Sequence, residues 1–160
     1  MVFQQARNNY SYPAALVAVH DGAGLPQVAD VAAPGLVFQP AAPDQSTNLA
    51  FDENLRFALR GADPQERRRA ILSVLYWGYS SGPDARARAR VRMLVHPENP
   101  AWLSIADPQT LECLDNAIKA VDANDFGGAI LALSNVSQFG RTPFASKLIA
   151  FLCPEAAGVY

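Results

Sequence analysis

Near the C-terminus, Gln138, Phe139, Gly140, Arg141, Thr142 and Lys147 have the types and spacing to hold a phosphate. A tight turn at Phe139-Gly140-Arg141 presents backbone N–H groups without partners inside the turn. The helix that opens at Thr142-Pro143 adds its positive N-terminal end. Arg141 and Lys147 contribute side-chain charge. A short helix, Phe126–Ser134, is expected to lead into the turn. Helix, glycine hairpin, helix is a backbone device for gripping nucleic-acid phosphate. The same residues also fit an ordinary helix–helix turn in which Gly140 supplies a positive φ.

Other chemistry-bearing residues are scattered. In Ala85–Arg92 (ARARARVR), helical spacing puts Arg86 and Arg90 on one face and Arg88 and Arg92 nearly opposite. One pair can meet phosphate, or the whole run is a solvated helix. Arg67-Arg68-Arg69 fan around a helix start and can pair with Glu66 or Asp63. Leu75–Tyr79 (LYWGY) gathers three aromatics at a helix end. Trp77 there offers a flat face for a base flipped from a duplex, or else plugs the core. His96 precedes Pro97 at a helix end, which suits a carbonyl cap, and His20 has no evident partner. Cys113 and Cys153 lack the CxxC or Cys/His company of a zinc site and read as small, buried, reduced side chains. Neither a P-loop, a Rossmann fingerprint nor a Ser-His-Asp arrangement is present, and no cofactor is expected.

Several of these residues follow one order: Gly140, the pair of small residues and lysine Ala145-Ser146-Lys147, the apolar run Leu148–Leu152, Pro154 and Gly158-Val159-Tyr160. Upstream stands a helix that ends in Trp77-Gly78. Over roughly residues 65–160 this order resembles the helix-hairpin-helix DNA glycosylase superfamily, especially its 8-oxoguanine-glycosylase-like branch. The resemblance implies duplex DNA with a damaged base as partner and excision of an oxidised purine as the activity. It implies Gln138, Phe139, Gly140, Arg141, Thr142 and Trp77 as nucleic-acid contacts and Lys147 as the catalytic amine. The sequence departs from the pattern in three places. Gln138 replaces the first hairpin glycine, Thr142 stands where bifunctional members hold their lysine, and the family's aspartate is expected just beyond Tyr160. Charge stabilisation at the departing base is usually the largest catalytic term, so the expectation is weak DNA binding with little or no base excision. The alternative is a non-catalytic helical DNA- or protein-interaction module.

The elements that would carry these residues are helical. Residues 1–45, rich in Ala, Val, Gly and Pro, read as an irregular N-terminal arm with short strands at Ala14–His20 and Gly35–Gln39. Residues 46–160 read as an all-α, multi-helix domain containing the helix-hairpin-helix element. Leu49, Leu55, Ala58 and Leu59 mark a first helix, with Gly61 as its C-cap. Asp63-Pro64-Gln65-Glu66, Asp107-Pro108 and Thr142-Pro143 are helix starts of one kind, with a cap and then a proline whose missing N–H costs nothing there. They precede Ala70-Ile71, Val74 and Leu75 (stopping at Gly78); Leu111, Leu114, Ile118 and Val121; and Leu148, Ile149, Phe151 and Leu152. A further helix is expected at Ala85–Val95, and Asp125 can cap Phe126–Ser134.

At 160 residues the chain suits one domain, and with 50% apolar residues it can bury a proper core. The net charge of −2 means that nucleic-acid binding must come from a local basic face. The N-terminus lacks a signal-peptide pattern, and no apolar run reaches the ~20 residues of a membrane span, so a cytoplasmic protein without a membrane partner is expected.

Overall fold

The structure, a computed structural model, describes residues 15–19, 36–40, 48–79, 108–136, 139 and 142–156. These form two strands, β1 (Ala15–Val19) and β2 (Leu36–Pro40), and five helices: α1 (Asn48–Arg60), α2 (Pro64–Tyr79), α3 (Pro108–Asp122), α4 (Phe126–Leu133) and α5 (Thr142–Leu152). From residue 48 on, the described chain is all-α. The strands pair antiparallel with Val17 opposite Phe38, and β1 lies along α2. The rest of the proposed N-terminal arm and the expected helix at Ala85–Val95, with its arginines, lie outside the described residues, as do His20 and His96.

Helix boundaries follow local chemistry. Gly61 closes α1 by donating its N–H to the Ala58 carbonyl at 3.2 Å. Between α3 and α4 the chain reverses through Asn124, whose φ of 58° lies in the left-handed region that asparagine tolerates better than most residues. Asp125 then caps α4, its carboxylate accepting the Gly128 N–H at 2.8 Å. Helix α2 runs one residue past the stop expected at Gly78, to Tyr79. Gly78 lies inside a helix-to-helix contact and ends nothing.

The core is contributed by all five helices, and α5 touches the other four. Phe144, Ala145, Leu148, Ile149, Ala150, Phe151 and Leu152 are all buried. Leu55 and Leu59 of α1, Ile71 and Leu75 of α2, Leu114 and Ala117 of α3 and Leu133 of α4 are among the residues that share the core. Ion pairs tie the outer helices. Arg67 of α2 pairs with Asp115 of α3 and donates from Nε to the Leu59 carbonyl at 3.2 Å. Arg60 of α1 pairs with Asp122 of α3 at 3.0 Å, while Arg69 and Glu66, at 2.9 Å, pair within α2.

Candidate nucleic-acid interface

Thr142 and Pro143, both exposed, open α5. Early in a helix the absent N–H of proline breaks no intrahelical bond. Side chains on a helix lean toward its N-terminus, so residues one turn on reach back over this opening. Ser146 donates from Oγ to the Pro143 carbonyl at 3.1 Å. The Lys147 Nζ reaches the same carbonyl at 3.4 Å and stands 5.1 Å from the centre of the Phe144 ring. An ammonium over an aromatic face is attracted by the ring's electron density.

Lys147 is half-buried, and desolvation holds its amine below the ordinary lysine value of 10.5. Among the described residues no carboxylate pairs with it. Helix α5 itself contains no acidic residue. Among the described residues, a cation therefore sits at the positive end of a helix dipole with a carbonyl and a ring as its partners. An incoming anion would relieve that arrangement, whereas a second cation would worsen it.

The residues singled out in the sequence separate into three groups. Thr142 and Lys147 share the exposed opening of α5. Gln138, Gly140 and Arg141 lie outside the described residues. Trp77 and Phe139 are each 1% exposed. The Trp77 ring meets Phe151 edge-on, with centroids 5.1 Å apart and planes at 88°. In this conformation neither ring offers a free face to a base, and the expectation of a Trp77 stacking platform gives way to core packing. The apolar gain from covering a large ring on all sides is what draws it inward.

Two neighbours of Lys147 were not singled out as site residues. Phe144 lies beneath the ammonium, and Gly78 of α2 lets both Phe144 and the lysine stem approach. The one available signal was Gly78 itself, because glycine inside an otherwise apolar helix often marks a close approach.

The other candidates are structural. Arg69 pairs with Glu66 as expected, while Arg67 instead reaches across to α3. Cys113 is buried, Cys153 is half-buried, and neither forms a disulfide. Burial, and then the charge of Glu155, push the Cys153 thiol above its ordinary value. Among the described residues no group of three His, Cys, Asp or Glu could hold a metal, and no helix is long and apolar enough to cross a membrane. No protein-family model, curated protein or solved structure matches this chain.

Proposed function

We propose that this chain is a helical, glycosylase-like DNA-binding protein whose phosphate contact is the opening of α5, with Lys147 and Arg141 supplying charge and with little or no base excision. The observation that carries this reading is Lys147, a desolvated ammonium folded back on the first turn of α5 with no paired carboxylate among the described residues. Arg141, immediately before α5 in sequence, adds to the same end. Contacts of this kind position a duplex without reading its sequence.

The lowered amine is also the direction a Schiff-base nucleophile needs. Excision of an oxidised purine requires more, namely a carboxylate set against the developing sugar cation.

Fluorescence anisotropy with a labelled duplex tests the binding. Arg141→Ala and Lys147→Ala should each weaken binding about equally for all sequences and lower the salt slope by about one ion. Variants that bind at every salt concentration as the parent does would overturn it. Borohydride trapping on an oligonucleotide with one 8-oxoguanine tests the chemistry. A covalent adduct that disappears in Lys147→Ala would establish a working amine and refute near-inactivity.

A non-catalytic protein-interaction module is the second reading. Phe57 at 85% exposure and Leu131 at 70% favour it. They lie on α1 and α4 respectively, and isolated apolar side chains at a surface are common, which leaves this reading behind.

A further inference from the structure

Gly78 stands one residue before the end of α2, where that helix packs against α5. A Cβ on its α-carbon would lie 2.5 Å from Phe144 Cε1, 3.1 Å from Lys147 Cδ and 3.3 Å from Phe144 Cδ1. Real Cβ atoms do not approach other atoms as closely as the first of these, so a side chain at position 78 must displace the Phe144 ring and press the lysine stem aside by a smaller amount. Glycine is a poor helix former, and its neighbour Trp77 and nearby Leu75 are fully buried.

The two groups that meet Gly78 are the ones that set the surroundings of the ammonium. The Phe144 ring lies 5.1 Å from Nζ, and the stem that crosses Gly78 carries Nζ back to the Pro143 carbonyl. We propose that Gly78 is a positioning residue for Lys147: its bare α-carbon is the seat on which the Phe144 ring and the lysine stem rest, so that the ammonium is delivered to the first turn of α5. The consequence for DNA rests on the function proposed above, but the seat itself does not.

The charges on the helices packed against α5 leave Lys147 governed by this seat. Arg56 pairs with Glu155, Arg60 with Asp122, Arg67 with Asp115 and Arg69 with Glu66. Asp52 and Glu53 of α1, Arg68 of α2, Glu112 and Lys119 of α3, and Asp125 at the α4 cap form no ion pair with Lys147. The second half of α2, from Ala70 to Tyr79, carries no charge, and neither does α4. Among the described residues, covering by the ring and by α2 rather than a neighbouring charge then controls how readily the amine protonates.

The chain has only two lysines, Lys119 and Lys147, which makes the test direct. Reductive methylation with isotope-labelled formaldehyde gives one NMR signal for each, so that of Lys147 is followed by itself. In the parent, Lys147 should titrate below the ordinary lysine value of 10.5. In folded Gly78→Ala the Lys147 titration should move most of the way back to 10.5. If Gly78→Ala does not fold, the double variant with Phe144→Leu, compared with Phe144→Leu alone, carries the same test, because the stem still meets the added methyl. A Lys147 titration untouched by the added methyl in a folded protein overturns the proposal.

Duplex anisotropy separates the two ideas. Gly78→Ala should lose affinity several-fold, and adding Lys147→Ala to it should cost nothing further. If the titration moves while Lys147→Ala binds duplex like the parent, the seat stands and the DNA reading falls.

Discussion

At the C-terminal end of α5, Arg56 reaches Glu155 at 3.5 Å, while Cys153 lies half-buried beside them. At the N-terminal end, Lys147 meets a carbonyl and an aromatic ring but no carboxylate among the described residues. Among the described residues, one helix thus holds a neutralised end and a positive one. The seven buried residues between them tie both ends to one core. The difference teaches that charge at an end of this helix follows the supply of partners from the helices around it. Helix α1 offers an arginine to the acidic end, whereas the uncharged second half of α2 offers nothing to the basic one.

The sharpest way to break the comparison is to break the helix that connects the ends. Leu148 is fully buried at the centre of α5, and Leu148→Ala should cost about 3 kcal/mol by lost transfer energy and the cavity left behind. Urea denaturation measures this, and a loss below about 1 kcal/mol would mean that α5 is not central.

Next in size is the tie between α2 and α3. Arg67 is 12% exposed, with Asp115 and the Leu59 carbonyl as its partners, so Arg67→Ala should cost about 1–2 kcal/mol after allowance for the exposed side of Asp115. A cost indistinguishable from that of exposed Arg56→Ala would show that burial adds nothing to such pairs.

The positive end should reveal itself through pH. The folded-state value of Lys147 lies below 10.5, so in the window just under 10.5 the folded chain holds fewer protons than the unfolded chain. Stability should therefore rise as pH climbs through that window, and the penalty on the folded state is fully present below it. Lys147→Met keeps an apolar stem and removes the titration. Urea midpoints of parent and variant, compared from roughly pH 8 to 11, should converge as pH rises. Parallel curves would show that the amine is not desolvated.

The smallest effect belongs to the neutralised end. Arg56 and Glu155 are both well exposed, and Arg56→Ala should change stability by less than about 0.5 kcal/mol. A larger loss would mean that this end is held more firmly than an exposed pair allows.

Much of the helical frame was legible in the chain. The Asp63-Pro64, Asp107-Pro108 and Thr142-Pro143 starts open α2, α3 and α5 to within a residue, and the Asp125 cap opens α4 where expected. Caps and prolines act within one turn, so sequence neighbours alone specify them. The site was less legible. Thr142 and Lys147 emerged from their place after the turn, but Phe144 and Gly78 did not, because their meeting depends on how two helices distant in sequence pack.

Sequence by itself determined where the described helices begin, which apolar positions face inward along α3 and α5, and that the start of α5 bears positive charge. Those properties come from spacing, capping and residue type. Only the tertiary structure decided that α5 packs against all four other described helices, that Trp77 and Phe139 belong to the core, and that the Lys147 stem lies over Gly78. Whether an aromatic ring ends up as a stacking face or as core filling depends on what covers it, and the cover comes from residues far along the chain. Trp77 rests against Phe151, and Gly78 against Phe144 and Lys147, contacts that exist only once α2 and α5 have found each other.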